Sequence, residues 1–222
     1  MKTVQFLSEK YDEFLNRINI LERERNSYLE RINSLQSKVD LLERTSRASM
    51  IEIRNVPKQE AENKTTLSNI VKTVGEVLSY PIADSDIRDV IRTMPKKNDQ
   101  NASPILVEFT TVNMKDNVIK KTREFNKKHK TNKINTTHLK LAGLPKPIYI
   151  AESLTTSAKQ IYYHARQMVS NKEIHSSWTS FGRIFIKTTD SSKPLRIDNL
   201  ENLRKFRKEF EETVMKQSNN SE

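Results

Sequence analysis

Residues 4–42 read VQFLSEKYDEFLNRINILERERNSYLERINSLQSKVDLL, and the spacing of their apolar residues predicts the first element of the fold. When the residues are counted in sevens, eleven of the twelve a and d positions are apolar or aromatic. No Gly or Pro occurs before Pro57, so nothing here interrupts a helix. A 3.5-residue repeat kept for six heptads predicts a coiled coil over residues 1–46, rather than one helix packed on a globular domain.

The number of helices in this coiled coil is a separate question. β-branched residues at most a positions and Leu at most d positions favour a parallel dimer. The string RINILE at 17–22 instead resembles the R-h-x-x-h-E trimer signature of short coiled coils, since Arg17 at g and Glu22 at e can pair across chains. Bulky Phe14 and Tyr28 also fit more easily among three helices. We expect a parallel homotrimer, with a homodimer as the alternative, and an interface formed by Arg17, Ile18, Leu21, Glu22, Tyr28, Ile32, Leu35, Val39 and Leu42.

The composition excludes several classes of protein. Without cysteine there is no disulfide framework and no thiolate zinc site, and three glycines cannot build a phosphate-binding loop. The four histidines show no metal-ligand spacing, and no carboxylate pair or G-x-S-x-G suggests catalysis. Neither a membrane span nor a signal peptide is evident. We therefore expect a cytoplasmic protein, with the nucleus as a further location, that is no enzyme and needs no cofactor or metal.

The positive charge is distributed unevenly along the chain. The formal net charge is +11, yet residues 1–47 hold nine basic and eight acidic side chains. Residues 113–140 alone hold nine basic and two acidic ones. The region after the coiled coil is therefore the one predicted to meet a nucleic acid, an anionic membrane or an acidic partner.

The pattern of residues 48–152 predicts an RNA-recognition-like domain. Alternating apolar residues indicate strands, and 3.6-residue spacing indicates helices. The resulting order β-α-β-β-α-β is that of a ferredoxin-like sandwich, so the fold class is α+β. A further strand is a candidate at HLKL (138–141), and PKKNDQNAS (95–103) has the composition of an exposed loop. The predicted elements are strand 51–57, helix 65–80, strands 86–94 and 104–110, helix 113–130 and strand 147–152.

Residues 153–215 are predicted to form a small α/β C-terminal domain, followed by a polar tail at 216–222. A helix is expected over about 155–170, and the hairpin 177–187 should turn at Phe181-Gly182. A short strand at 194–197 then leads into a final helix, which DNLE at 198–201 opens as a capping box.

Six motifs in this order resemble one family. They are the RINILE heptads, IEIRNVP (51–57), IRTMPKK (91–97), PILVEFT with VNMKDNVIKKTRE (104–124), PIYIAESLT (147–155) and WTSFGRIFIK (178–187). The chain is similar to the first-open-reading-frame proteins of LINE-type retrotransposons and to the few-polyhedra proteins of baculoviruses. The last two motifs lie closer to the few-polyhedra type.

This resemblance implies a trimer whose RNA-recognition-like and C-terminal domains hold single-stranded RNA or DNA in a basic cleft, with RNA-packaging and nucleic acid chaperone activity. The few-polyhedra alternative is a viral protein that acts through viral or host protein partners in virion assembly or trafficking. Glu52 departs from the family, because some LINE proteins have Arg at this position. The resemblance implicates Arg92, Lys96, Lys97, Lys120, Lys121, Arg123, Arg166 and Arg183 in binding.

The residues themselves add three further candidates and a limit on base recognition. Arg54 lies on the first strand, and Lys127 and Lys128 extend the basic helix. IEIRNVP has no aromatic residue, and Phe109 in PILVEFT is in phase with the core, so we expect backbone contacts with little sequence preference. Of the remaining aromatic residues, Tyr163, Trp178 and Phe181 are expected mainly in the core of the C-terminal domain, with base stacking as the alternative.

Overall fold

The computed structural model describes residues 2–94 and 103–219, with side chains from Thr3 as far as Phe210. It separates into two compact units, Met1–Glu43 and Arg44–Glu222. The class is α+β, as predicted, with a long N-terminal helix and antiparallel sheets. No helix among the described residues is long and apolar enough to cross a bilayer.

The first helix, α1, spans Lys2–Ser46 without interruption. At about 1.5 Å per residue it is roughly 65 Å long. Its a and d side chains, which we call the heptad seam, are exposed in the single chain; Leu21 is 56% and Leu42 is 69% exposed.

A four-stranded sheet forms the centre of the following region. Its strands are β1 (Met50–Arg54), β2 (Ile87–Arg92), β3 (Ile105–Phe109) and β4 (Tyr149–Glu152). They lie in the order β2-β3-β1-β4, and every neighbouring pair is antiparallel. Glu52 on β1 lies opposite Leu106 on one side and Ala151 on the other, which fixes the register.

One face of this sheet packs against two helices, α2 (Lys64–Val77) and α3 (Val112–Lys128). Alternation along the strands turns the apolar side chains of β1 and β3 into the core, and helical spacing does the same on α2. Phe109 is buried, as its phase predicted. A short 3₁₀ helix at Asp84–Asp86 precedes β2. The apolar residues at helical spacing along α2 and at its C-cap are all buried: Leu67, Ile70, Val71, Val74 and Leu78.

The chain continues into a second, separate hydrophobic core. Here α4 (Thr156–Ser170) and α5 (Leu200–Asn219) cover a three-stranded antiparallel sheet of β5 (Ser176–Ser180), β6 (Arg183–Lys187) and β7 (Leu195–Ile197). The hairpin turns at Phe181-Gly182, as predicted. Both residues have positive φ, 52° and 68°, which suits a tight turn between twisted strands.

Two local predictions are wrong. Residues 138–141 form turns and no strand, because Leu139 is an inward anchor within a run of turn hydrogen bonds. The final helix is capped by Asn199, whose Oδ1 accepts from the Asn202 amide at 2.7 Å, while Asp198 pairs with Arg196 instead. The backbone of this helix continues to Asn219.

Candidate nucleic-acid interface

The outer surface of α3 carries the main group of exposed positive side chains. The inward row of this helix is Lys115, Val118, Ile119 and Thr122, so residues 120 and 127 fall on the opposite side. Lys127 and Lys128 occupy its last turn, where positive charge is favoured by the helix dipole. We call the exposed lysines of α3 and of the first five residues after it the basic ridge: Lys120, Lys127, Lys128, Lys130 and Lys133.

The loop after α3 is held in place by buried anchors. Ile134 is buried, and its amide donates to Asn126 Oδ1 at 3.0 Å. Leu139 is buried in the same core. With the apolar residues turned inward, Lys130 and Lys133 remain exposed beside the end of α3.

The other two cations predicted on α3 have protein partners. Lys121 lies 3.0 Å from Glu124, one turn further along the helix. Arg123 donates from Nη2 to the carbonyl oxygen of Thr179 on β5 at 3.4 Å. This contact places Arg123 beside the β5–β6 hairpin, in which Arg183 is exposed at the start of β6. The structure therefore brings Arg123 and Arg183 to the same hairpin.

A buried ion pair fastens this hairpin to α3 and β4. Lys115 is 2% exposed, and its Nζ lies 3.0 Å from Glu152 Oε1 and 2.7 Å from Asp116 Oδ1. Glu152 also accepts the amide of Phe181 at 3.0 Å and that of Gly182 at 3.3 Å. The ammonium of Lys115 lies 5.5 Å from the centre of the Phe181 ring. Lys115 is therefore part of a buried ion pair and does not contribute to the basic surface of α3.

The face of the four-stranded sheet turned away from α2 and α3 has its charges paired. The carboxylate of buried Glu52 lies 3.4 Å from Arg54 and 2.7 Å from Lys159 of α4. Arg88 pairs with Glu108 across strands at 2.7 Å. Arg54 is therefore half-exposed beside a carboxylate, and this face has no surplus of positive charge like that of the basic ridge.

Asp89 keeps its negative charge on β2. The hydrogen bond from Lys64 lowers the pKa of the Asp89 carboxyl below its ordinary value, and the amide of Val90 also donates to it. Since Lys64 Nζ lies 2.6 Å from Asp89 Oδ1, the two charges pair and add no surplus of positive charge to this sheet edge.

Arg92, one of the predicted binding residues, has a buried side chain that is bonded to other groups of the protein. Its guanidinium forms a two-pronged ion pair with Glu62, with both N–O distances 2.6 Å, and donates to the carbonyl oxygens of Val56 and Ser103. Only 7% of its side chain is exposed. Binding a phosphate would break this network, so we leave Arg92 out of the interface.

Three predicted binding cations remain, namely Arg166, Lys96 and Lys97. Arg166 is exposed on α4, where its guanidinium lies 6.0 Å from the ring centre of Tyr162 on the same helix. Lys96 and Lys97 lie outside the described residues. The hypothesis that these three side chains bind nucleic acid stays a prediction.

The prediction that three aromatic residues form the C-terminal core is wrong. Tyr163 and Phe181 are exposed, and Trp178 is half-buried but belongs to neither hydrophobic core. The core of this part consists of smaller side chains, mainly Ile, Leu and Ala. Sequence reasoning also missed Tyr149, which is 55% exposed opposite Arg54 on β4.

Nothing in the described part of the chain gathers three or more His, Asp or Glu side chains as ligands for a metal ion. No protein-family model matches the chain, and no curated protein is significantly similar to it.

Proposed function

We propose that this protein is a non-catalytic homo-oligomer that binds single-stranded RNA or DNA with little sequence preference. The observation that carries the proposal is the contrast between two surfaces. The basic ridge is exposed and positive beside the hairpin that Arg123 contacts, whereas the sheet face carries paired charges. Phosphates are neutralised by exposed Lys and Arg, so backbone contacts to the ridge supply the affinity.

The arrangement of β1 to β4 supports a ferredoxin-like, RNA-recognition-type domain within this proposal. The elements follow one another as β1-α2-β2-β3-α3-β4, and the strands lie in the order β2-β3-β1-β4. This order agrees with the split βαβ pattern, in which both helices pack on one face. Unlike common RNA-recognition sheets, the open face has Glu52 at its centre and offers Tyr149 at one edge. The single strand is therefore assigned to α3 and the hairpin rather than to the sheet centre.

Salt dependence tests this function directly. We expect the affinity of the full chain for a single-stranded oligonucleotide to fall steeply as salt rises, because each neutralised phosphate releases counterions. Five contacts per protomer give a slope of about −3.5 in log affinity against log salt, or roughly a hundredfold loss between about 50 and 200 mM. Fluorescence anisotropy with strands of equal length and different sequence measures both slope and selectivity. Salt-insensitive binding would refute the proposal.

The exposed heptad seam supports assembly into a parallel trimer. Leu15 and Leu29 follow d positions directly, at e, and both are more than 40% exposed. Leu at e widens the apolar stripe beyond the a and d seam of a simple dimer. Three linked copies of a weak ridge bind one long strand far more tightly than a single copy, and this is the basis of packaging and chaperone activity.

A seam substitution tests the trimer. The wild-type chain should sediment at three times its 25.9 kDa mass, and Leu21→Asp should reduce it to one chain, because a buried carboxylate cannot be satisfied in the seam. The matched control is Ile20→Asp, which makes the same kind of change at an exposed c position next to Leu21. Sedimentation equilibrium measures the mass of each variant. A wild-type mass of two chains would support the dimer. Equal effects of both substitutions would contradict the assigned seam.

A second candidate function is a few-polyhedra-type role in virion assembly or trafficking through protein partners. The open sheet face favours this second function. Its charges are paired, and it also exposes the apolar side chains of Ile91 and Tyr149. Such a mixed surface of apolar and paired polar groups suits a protein interface better than a polyanion.

A further inference from the structure

We propose that the solvent face of the β5-β6-β7 sheet is a second contact site for single-stranded nucleic acid, at which bases stack on Trp178 and Phe185. The inference rests on the proposed function and adds a base-stacking site to the backbone contacts of the basic ridge. It also departs from the expectation that bases contribute little to binding.

Alternation along the hairpin places both rings on this face. Thr179, Ile184 and Ile186 are buried beneath the helices, so their neighbours 178 and 185 turn to the opposite side. Trp178 and Phe185 are cross-strand partners, and their ring centres lie 5.8 Å apart with planes at 16°. Both rings are partly exposed and neither belongs to a hydrophobic core. They form a near-parallel aromatic pair at the surface.

Positive side chains surround the pair. Arg183 and Lys187 lie two residues either side of Phe185 on β6 and therefore share its face. Arg196 on β7 is the cross-strand partner of Phe185, and its charge is met by Asp198 at 2.7 Å. Lys187 donates to the carbonyl oxygen of Asp190, which leaves its positive charge uncompensated by that contact.

Rings flanked by positive charge fit a single strand better than other occupants. Every base offers a flat face for stacking, and the phosphates on either side meet Arg or Lys. A second copy of the same surface would oppose like charges, and a purely apolar partner would bury them without compensation. The chemistry therefore points to a single-stranded polyanion with aromatic bases.

Intrinsic fluorescence reports on this site alone, because Trp178 is the only tryptophan in the chain. We expect oligothymidylate to quench the fluorescence of the full-length protein as it binds. An abasic strand of the same length carries the same phosphates without bases, and it should bind the ridge while leaving the fluorescence unchanged. Oligothymidylate that binds without quenching, or equal quenching by the two strands, would overturn the inference.

Substitutions then test whether the stacking contributes to affinity. Trp178→Ala should weaken oligothymidylate binding roughly tenfold, within the range found for stacking aromatics, and should leave abasic binding unchanged. Trp178→Phe keeps a ring and should retain most of the affinity, which separates loss of stacking from loss of fold. Tyr163→Ala removes an exposed aromatic ring from α4 as the control and should have no effect.

The outcomes separate this inference from the function on which it rests. If no strand binds, the proposed function fails and the stacking site fails with it. If oligothymidylate and the abasic strand bind the wild type equally and Trp178→Ala changes nothing, only the stacking site is refuted. In that case the aromatic pair serves the sheet as a cross-strand contact.

Discussion

Replacing Lys120, Lys127 and Lys128 together by Glu is expected to weaken single-strand binding by on the order of a hundredfold at low salt. All three side chains are exposed on α3, and each is expected to neutralise a phosphate. Losing three contacts should also reduce the salt slope by about 2 per protomer. Lys121 and Arg123 are poorer targets, since Glu124 and the Thr179 carbonyl already engage them.

The control for this variant carries the same change in net charge elsewhere. Lys58, Lys172 and Lys193 are exposed in loops that are not part of α3 or of the loop after it, and their joint replacement by Glu should leave most of the affinity intact. Lys127 and Lys128 stabilise the C-terminal end of α3 through the helix dipole. Circular dichroism of the triple variant must therefore show that its helix content is unchanged. If both triple variants lose affinity equally, only net charge matters and the basic ridge is not the site.

Local periodicity was sufficient to predict most of the elements. The buried positions of α2 follow from apolar residues at helical spacing, and the turn of the β5–β6 hairpin follows from Phe181-Gly182 between alternating strands. These signals act over a few residues and depend little on the rest of the chain. The start of the last helix is decided by a single capping hydrogen bond, so its cap was missed by one residue.

The charged residues of the candidate site were harder to predict, because their partners are distant in sequence. Lys115 was counted with the basic surface, yet it lies three residues before Val118 on the inward row of α3. Arg92 similarly shares the face of buried Val90 on β2. The helical and strand periodicity was therefore enough to predict that Lys115 and Arg92 point inward. The sequence could not show which acidic residue pairs with each cation. Glu152, which pairs with Lys115, is 37 residues away, and Glu62, which pairs with Arg92, is 30 residues away.

Trp178 shows a different limit. A large aromatic residue in a small domain suggests a core position, because it buries much apolar area. The strand alternation argues the other way, since Ile184 and Ile186 fill the inner face and leave Trp178 opposite Phe185 on the outer one. For Trp178, the alternation of the partner strand β6 predicted the surface position better than the size of the side chain did.

The second large effect concerns the stability of the region that follows α1. Replacing Lys115 by Met should lower the free energy of unfolding by about 3 to 5 kcal/mol, because it leaves the buried carboxylate of Glu152 without its cation. The amides of Phe181 and Gly182 still donate to that carboxylate, which places the expected loss toward the lower end of the range. Urea denaturation measures the change, and Lys120→Met, on the exposed side of the same helix, should change stability little.

The double variant Lys115→Met with Glu152→Gln shows whether the two groups act as a pair. Removing both charges should cost less than the two single changes added together, with a coupling of about 1 to 3 kcal/mol, because neither side chain is then left as an unpaired buried ion. The hairpin amides provide a local measurement. Hydrogen exchange at Phe181 and Gly182 should accelerate in Glu152→Gln, since one of the two acceptor oxygens becomes a donor. Strict additivity of the single variants, together with unchanged exchange at the turn, would mean that the ion pair does not fasten the hairpin to α3 and β4.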